Sequence, residues 1–467
     1  MQIKFIGATE TVSGSKHLLI LKSGKHVLLD CGMYQGLGKL TTGLNSHLGI
    51  DPQLIDAVLL SHAHIDHCGN LPLLISQGYK KNIYCSYATA DMAELLLVDS
   101  YHIYESELNK TNAYRLNHHL EPIKQLYTMR EVKKTIELFK PIDFNKEQEL
   151  NDECSFVLTR TGHILGSSAI HLKVKEENRN INFTYTGDIG RYNDLLMKDP
   201  ELFPQAEYLI CESTYGDRLH ANIEDAQLQM LEIIRNTCIE KKGKLLIAAF
   251  SLGRTQEVLF VLNKFKNLGF ISPKLKVFLD SPLSIKITNH SKKYFHEFNE
   301  GFQSVLKLDT DPFAFDGLIF TDKAEESKQI NTVDDPCIII SAAGMMDAGR
   351  MQHHLLRLLS DEKNTILAVG FCAKGTVGDK LLSGEKEIHL FDKKIEVKAK
   401  VEKLFSFSAH GDQKDMLRYI SSQKKDALKK IFLVHGEEKI KINWQKKLIE
   451  EGYKEAIIPD KGVVFLL

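Results

Sequence analysis

The stretch Asp56-Ala-Val-Leu-Leu-Ser-His-Ala-His-Ile-Asp-His-Cys-Gly69 joins an apolar run to a dense cluster of histidines and acids. The apolar part predicts a buried β-strand that ends near Ser61. Functional side chains often lie at the carboxyl ends of strands. Imidazole and carboxylate groups are the donors that zinc and similar metals prefer. Packing alone hardly explains so many donors in so few positions, so the motif predicts a metal site that contains His62, His64, Asp66 and His67.

Two further candidate ligands lie where an apolar strand meets glycines. His163 occurs in Thr161-Gly-His-Ile-Leu-Gly-Ser167, and Asp188 occurs in Tyr185-Thr-Gly-Asp-Ile-Gly190. Glycines let the backbone turn tightly and present the intervening side chain to a cleft. Each residue alone is equally compatible with an ordinary turn. Their order after the histidine cluster favours a role as metal ligands.

The composition is that of an ordered globular protein. With 43% hydrophobic and 26% charged residues, the 467-residue chain can bury a large core, and its length favours two domains. The amino terminus reads as a strand without the pattern of a signal peptide, and no apolar run is long enough to span a bilayer. We therefore expect a soluble, cytoplasmic protein.

Charge and cysteine content narrow the possible functions. The formal net charge of −1 gives no overall basic surface for nucleic acid, so a phosphate substrate would require local cations. The eight cysteines are scattered and form no CxxC pair, which predicts reduced thiols in the core. Cys68 follows a candidate ligand, but we assign no metal role to it.

The order of predicted elements indicates an insertion. A β-meander covers the first 32 residues, helices follow from Ala88 to about Leu138, and strands return before Glu212. Alternating strands and helices then predict a second, largely parallel α/β sheet. The last segment again alternates strands and helices. The predicted organisation is a first domain over residues 1–210, an inserted domain over 211–395, and a part over 396–467 that completes the first domain.

These motifs resemble those of the metallo-β-lactamase superfamily. The resemblance implies two zinc ions: one held by His62, His64 and His163, the other by Asp66 and His67, with Asp188 bridging them. Asp30, in Leu28-Leu-Asp-Cys-Gly32, matches the superfamily's first motif. There the aspartate orients the ligands and does not bind the metal, since carboxylates of this kind fix imidazole tautomers.

Three later motifs resemble those of the β-CASP family, the nucleic-acid-processing branch of that superfamily. Glu212 in Cys211-Glu-Ser-Thr-Tyr-Gly216 matches motif A, His410 in Phe405-Ser-Phe-Ser-Ala-His-Gly-Asp412 matches motif B, and His435 in Ile431-Phe-Leu-Val-His-Gly-Glu437 matches motif C. The family includes the cleavage and polyadenylation endonuclease subunit and compact bacterial relatives. The resemblance implies an α/β fold: a metallo-β-lactamase αββα sandwich with an inserted α/β β-CASP cap. It also makes His435 the last metal ligand.

The family resemblance implies a reaction as well. It predicts a zinc-dependent RNA phosphodiesterase, an endoribonuclease that leaves 3′-hydroxyl and 5′-phosphate ends and uses a hydroxide shared by two metals as nucleophile. His410 would act as general acid or phosphate donor, with Glu212 holding its ring. Backbone groups near Ser341 and Gly344, with the charge of Arg350, would bind substrate phosphate; Arg350 is equally compatible with a surface ion pair. The expected partner is single-stranded RNA, and a homodimer is one expected assembly.

Other functions remain open from the sequence. A DNA nuclease or a 5′-exonuclease of the same family would use the same residues. A noncatalytic RNA-binding scaffold is less favoured, because inactive relatives lose metal ligands and this chain keeps all seven candidates. A hydrolase of a small ester or lactam would not explain the inserted domain or motifs A and B.

Overall fold

The computed structural model describes residues 1–38, 40–176, 179–404 and 407–467. Their strands form three large sheets and one hairpin. Compact packing divides the chain into two units. The first unit comprises Met1–Asn193, Lys198–Leu219 and His410–Leu467, and the second comprises Asp194–Met197 and His220–Ala409.

The first sheet has the strand order β22-β1-β2-β3-β4-β5-β6. The predicted β-meander is its antiparallel part, and β3, β4, β5 and β6 run parallel to one another. Its strands are β1 (Gln2–Phe5), β2 (His17–Ile20), β3 (His26–Leu29), β4 (Ile55–Leu59), β5 (Ile83–Ser86), β6 (Phe139–Ile142) and β22 (Val464–Leu466).

The second sheet has the order β21-β20-β11-β10-β9-β8-β7. It joins strands that are far apart in sequence, because β11 pairs in parallel with both β10 and β20. Its strands are β7 (Gln148–Asn151), β8 (Cys154–Arg160), β9 (Ser168–Glu176), β10 (Arg179–Tyr185), β11 (Tyr208–Glu212), β20 (Lys430–Val434) and β21 (Ala456–Ile457).

The two sheets of the first unit pack face to face. Side chains of β11 point alternately to the two faces of the second sheet, as the two-residue period of a strand requires. Tyr208 and Ile210 join the core between the sheets, together with Phe5 and Phe183. Leu209 and Cys211 lie on the opposite face of the second sheet, in a core that includes Trp444. The helices of this unit are α1 (Leu40–Asn45), α2 (Ile65–Cys68), α3 (Leu71–Ser76), α4 (Tyr87–Asn117), α5 (Met129–Glu137), α13 (Gln413–Ile420) and α14 (Glu438–Glu450).

The helical region predicted between Ala88 and Leu138 consists of two helices. Pro122 lies in the gap between α4 and α5, and proline lacks the amide donor that a continuous helix requires at that position. Thr128 then starts α5 with a capping box, in which its side chain and that of Glu131 satisfy free amides of the first turn. Among the described residues, no helix is both long and apolar enough to cross a membrane.

The second unit contains the predicted parallel sheet, in the order β14-β13-β15-β12-β16-β19, and a hairpin. The sheet strands are β12 (Leu245–Ala248), β13 (Lys276–Leu279), β14 (Leu318–Phe320), β15 (Cys337–Ser341), β16 (Thr365–Ala368) and β19 (Lys400–Lys403), and the hairpin strands are β17 (Glu387–Leu390) and β18 (Lys393–Glu396). Its helices are α6 (Ile223–Ile234), α7 (Arg254–Asn267), α8 (Pro282–Ser291), α9 (Glu300–Leu306), α10 (Ala324–Gln329), α11 (Gly349–Leu358) and α12 (Val377–Leu382).

The limits of the compact units differ from the domain limits predicted at residues 211 and 396. Strand β11 belongs with the first unit because it completes the second sheet. Strand β19 belongs with the second unit because it pairs with β16. The assignment of residues 211–395 as the inserted domain therefore stays a prediction about domain organisation.

Candidate metal centre

The histidine cluster begins where β4 ends, as the sequence predicts. The chain leaves the sheet at Ser61 and turns into the single turn of α2, so that His62 and His64 precede the helix while Asp66 and His67 lie within it. The turn packs tightly against the loop after β3. A Cβ atom on Gly32 would lie 1.6 Å from the Asp66 carbonyl oxygen. Only glycine fits there, and the close approach brings Asp30 next to the cluster.

Four candidate ligands converge in a first set. His64 Nδ1 lies 3.2 Å from His62 Nε2 and 3.2 Å from His163 Nε2. Asp188 Oδ2 lies 3.4 Å from each of those Nε2 atoms. His62, His163 and Asp188 are buried. The set therefore brings together the three histidines and the aspartate that the sequence motifs nominated.

The other oxygen of Asp188 faces a second set. Asp188 Oδ1 lies 3.3 Å from His67 Nε2 and 3.8 Å from His435 Nε2. Asp66 Oδ2 completes this set at 3.2 Å from His435 Nε2 and 3.9 Å from His67 Nε2. All seven nominated ligands thus lie in two groups that share one carboxylate.

The donor atoms of both groups fit a metal. Neither oxygen of Asp188 has a hydrogen-bond donor among the described residues, although both are buried. Buried carboxylates ordinarily have donors, because an unsatisfied charge is costly. Zinc bonds of about 2.0–2.1 Å in tetrahedral geometry place neighbouring ligand atoms about 3.3–3.4 Å apart. The separations around Asp188 scatter about that value, so the residues fit divalent metals bound on either side of the carboxylate.

For the three histidines of the first set, burial also favours the neutral state that metal ligands require. Desolvation lowers the pKa of His62, holds the pKa of His163 well below its usual value, and lowers the pKa of His64 to about 3. These imidazoles are therefore neutral at physiological pH, with a lone pair available for a metal.

Asp30 orients two of the histidines through contacts to their Nδ1 sides, one direct and one through Ser61. Its Oδ2 lies 2.6 Å from His67 Nδ1 and accepts hydrogen bonds from the hydroxyls of Ser61 and Tyr185, both at 2.7 Å. The Ser61 hydroxyl also lies 3.0 Å from His62 Nδ1. Asp30 therefore orients His67 directly and His62 through Ser61, which leaves the Nε2 atoms of both rings facing the ligand sets.

Glu212 and His410 form a pair beside these sets. His410 Nδ1 lies 3.0 and 3.1 Å from the two carboxylate oxygens of Glu212, and His410 Nε2 lies 3.9 Å from Asp188 Oδ2. Glu212 also accepts a 2.6 Å hydrogen bond from the amide of Ile189, which fixes the carboxylate. Burial alone would lower the pKa of His410, but the carboxylates of Glu212 and Asp188 outweigh it and raise the pKa to about 9.

Comparison with known proteins places this geometry in a family. The metallo-beta-lactamase superfamily matches residues 17–235, the Beta-Casp domain matches 255–381, and the Zn-dependent metallo-hydrolase RNA specificity domain matches 394–459. Ribonuclease TTHA0252 of Thermus thermophilus is 31% identical over 98% of both chains. The chain belongs to the β-CASP family. It is a metal-dependent hydrolase, and its fold is the expected metallo-β-lactamase fold with a β-CASP insertion.

Other proteins also resemble the chain over most of its length. The RNase J-like protein of Methanocaldococcus jannaschii is 32% identical over 99% of both chains. Cleavage and polyadenylation specificity factor 73 of Drosophila melanogaster is 28% identical over 94% of this chain and 60% of its own. A protein of unknown function from Enterococcus faecalis V583, whose crystal structure is known, covers 100% of this chain and 99% of its own at 15% identity with a TM-score of 0.53. That last likeness shows the fold alone.

The second unit contains the three residues nominated for substrate phosphate, and there they make internal contacts. Ser341 donates its hydroxyl to the carbonyl of Asp280 at 3.0 Å, and a Cβ atom on Gly344 would meet the Phe250 ring at 2.9 Å. Arg350 donates to the Asp280 carboxylate at 2.7 Å and to the carbonyls of Thr321 and Asp322. These contacts give each residue a role within the unit, and phosphate binding stays a prediction. In motif B, Phe405 and Ser406 lie outside the described residues.

Three residues that contact Asp30 or a candidate ligand were not nominated from the sequence. Ser61 and Tyr185 contact Asp30, and Thr214 contacts His435. Ser61 directly precedes the histidine motif, and Thr214 lies two residues after Glu212, so motif proximity was an available signal for both. Tyr185 ends a strand three residues before Asp188, where nothing in the sequence distinguishes it from a core tyrosine.

Proposed function

We propose that this β-CASP protein is a zinc-dependent RNA phosphodiesterase that cleaves single-stranded RNA internally and leaves 3′-hydroxyl and 5′-phosphate ends. The observation that carries the proposal is the Glu212–His410 pair, whose imidazole edge lies next to the carboxylate shared by both ligand sets. Ribonuclease TTHA0252 and the RNase J-like protein, which are similar to nearly the whole chain, support RNA as the substrate class.

The first ligand set would hold one zinc ion through His62, His64 and His163, the second would hold another through Asp66, His67 and His435, and Asp188 would contact both. When bound, two zinc ions supply positive charge at the phosphate and lower the pKa of water to near neutrality. Asp30 and Ser61 keep the ligand rings in place, so the site needs little reorganisation when substrate arrives.

His410 would provide the proton that the leaving 3′-oxygen requires. An alkoxide is a poor leaving group, and a positioned acid stabilises it as the P–O bond breaks. The Nδ1 atom of His410 is engaged by Glu212, so Nε2 is the atom that can transfer a proton towards the site. The half-buried position of His410, with 19% of its side chain exposed, leaves it accessible to a substrate.

The test uses single-stranded RNA that carries a blocked 5′ end and an internal label. Unmodified protein should cut it internally, and the products should accept ligation at the 5′-phosphate and extension at the 3′-hydroxyl. The His410→Ala variant should keep its zinc and lose about 10²- to 10⁴-fold in cleavage rate, the usual contribution of general acid–base catalysis. His118→Ala, at an exposed histidine that follows α4, is the matched control and should cleave normally.

Several outcomes would overturn parts of this proposal. Cleavage only of RNA with a free 5′ end would indicate a 5′-exonuclease, and faster cleavage of a DNA strand would indicate a DNA nuclease. Binding of RNA by the zinc-loaded protein without cleavage would indicate a scaffold. A His410→Ala variant as active as the control would remove His410 from the reaction. Duplex RNA in the same assay tests strand preference, and sedimentation velocity tests the expected homodimer.

A further inference from the structure

The parallel pairing of β11 with β20 brings two motifs side by side. Glu212 pairs with Val434 at the ends of these strands, so the residues that follow, Ser213 and His435, run next to each other. The Ser213 amide donates to the His435 carbonyl at 3.3 Å. A Cβ atom on Gly436 would lie 2.9 Å from the Cβ of Ser213, so the two loops are in close contact.

Thr214 places its hydroxyl against both the ring and the backbone of His435. Its Oγ1 atom lies 3.0 Å from His435 Nδ1 and 3.2 Å from the His435 carbonyl oxygen. A carbonyl oxygen can only accept, so the single hydroxyl proton is donated to it. The hydroxyl oxygen then accepts from Nδ1–H. This arrangement makes both hydrogen bonds and places the ring proton on Nδ1.

That tautomer leaves the lone pair of His435 on Nε2. The Nε2 atom faces the second ligand set, 3.2 Å from Asp66 Oδ2 and 3.8 Å from Asp188 Oδ1. The backbone of His435 has a φ angle of +53°, a conformation that non-glycine residues adopt only when their surroundings hold them there. Its amide donates to the Ala8 carbonyl at 2.7 Å, and its carbonyl receives the Thr214 and Ser213 donors.

We infer that Thr214 is a positioning residue for zinc binding. Its hydroxyl fixes the tautomer and direction of His435, so that His435 Nε2 completes the second ligand set. The inference rests on the ligand set of the proposed function. It gives motif A two tasks: Glu212 holds His410, and Thr214 holds His435. Asp30 performs the corresponding task for His67 with a carboxylate.

The experiment measures zinc affinity and requires no RNA. Metal-free protein is titrated with zinc in the presence of a chromophoric chelator, which resolves the dissociation constants of the two ions. The Thr214→Val variant keeps the shape of the side chain without its hydroxyl, and Thr214→Ser keeps the hydroxyl. The control is Thr159→Val, because Thr159 Oγ1 lies 2.7 Å from His171 Nε2 in a buried threonine–histidine pair outside the ligand sets.

We expect Thr214→Val to raise the dissociation constant of one zinc ion about 10- to 100-fold, the usual effect of losing a hydrogen bond to a ligand. Thr214→Ser should bind zinc nearly as the unmodified protein does, and Thr159→Val should leave both affinities unchanged. With cobalt in place of zinc, the visible absorption of Thr214→Val should change for the weakened ion alone.

Equal zinc affinities in Thr214→Val and Thr159→Val would overturn the inference. So would equal losses in Thr214→Val and Thr214→Ser, because the hydroxyl would then not be the responsible group. An unmodified protein that binds no zinc would overturn the ligand set and this inference together. A protein that shows the expected zinc affinities yet does not cleave RNA would contradict the proposed function and leave the role of Thr214 supported.

Discussion

Asp188 and Asp280 are two buried aspartates that each lie after the end of a strand and close to imidazole nitrogen, yet their surroundings differ. Asp280, after β13 of the second unit, has both oxygens fully satisfied. Oδ1 accepts from Arg350 at 2.7 Å and Thr321 at 2.8 Å, and Oδ2 contacts His354 at 2.6 Å and Ser327 at 2.7 Å. Asp188, after β10 of the first unit, has no hydrogen-bond donor among the described residues.

The difference separates a carboxylate with a structural role from one that is available to bind a cation. A buried charge that already has its full set of donors gains nothing from a metal and stabilises the fold around it. A buried charge that faces imidazole nitrogens at 3.3–3.8 Å without donors requires a cation to offset its desolvation. Counting donors, more than counting histidines, therefore identifies the candidate metal centre.

The largest effect should come from replacing the shared carboxylate. Asp188→Asn removes the charge that faces both ligand sets, so we expect loss of at least one zinc ion per chain. Cleavage of RNA should fall by about a thousandfold or more, because metal ions contribute several kcal/mol to such reactions and each 1.4 kcal/mol is a factor of ten. Metal analysis and single-turnover kinetics measure the two effects. Full zinc content in Asp188→Asn would contradict the assignment of this residue.

Asp280→Asn should have the opposite effects: lower stability and an unchanged zinc content. The change leaves the charge of Arg350 and the ring of His354 facing a neutral amide, and breaking a buried pair in this way costs about 3–5 kcal/mol. We expect a lower unfolding midpoint with zinc content unchanged. The only tryptophan, Trp444, lies in the first unit, so its fluorescence reports that unit while circular dichroism reports both. An Asp280→Asn variant that loses zinc and keeps its stability would contradict the structural role assigned to Asp280.

Acid should weaken the second unit through the same residue. Burial alone would raise the pKa of Asp280, but hydrogen bonds from His354, Ser327, Thr321 and Arg350 outweigh it and lower the pKa to about 2. Because the folded-state pKa lies below the ordinary value of about 3.9, the stabilisation is present above pH 4 and is lost as the pH falls towards 2. The linked free energy is about 2 kcal/mol.

Urea titrations between pH 5 and pH 2.5 measure this loss. The part of the acid-induced change due to Asp280 should be absent in Asp280→Asn, which has no carboxyl group to protonate at that position. Identical pH dependence in the unmodified protein and the variant would show that Asp280 does not contribute to acid sensitivity.

Local patterns in the sequence were sufficient to predict the amino-terminal β-meander and the parallel sheet of the second unit, whereas the αββα sandwich was implied by the family resemblance. Alternating and continuous apolar runs identified β4, β10 and β20 as strands, and the residues that follow them, His62, Asp188 and His435, converge because strand ends share one edge of the fold. The family motifs added what spacing cannot supply, namely the grouping of seven residues into two ligand sets.

Apart from those that the family motifs imply, such as the Glu212–His410 pair, contacts between side chains distant in the sequence could not be predicted. Thr214 and His435 are 221 positions apart, and Tyr185 and Asp30 are 155 apart, so no local pattern reports either hydrogen bond. Arg350 carries the same charge whether it binds phosphate or pairs with Asp280, and only its surroundings in the fold reveal the pair. The limits of the compact units depended likewise on which sheet β11 and β19 join.

The pairing of β11 with β20 also sets the order in which the centre can be assembled during synthesis. His62, His64, His163 and Asp188 precede β11, so the residues of the first ligand set are all present when less than half of the chain has been made. His410 follows Glu212, the last residue of β11, by 198 positions, and His435 follows later still, at the end of the strand that pairs with β11. A nascent chain therefore contains all residues of the first candidate ligand set well before it contains His435 of the second set and His410, so the first set can form before the rest of the centre.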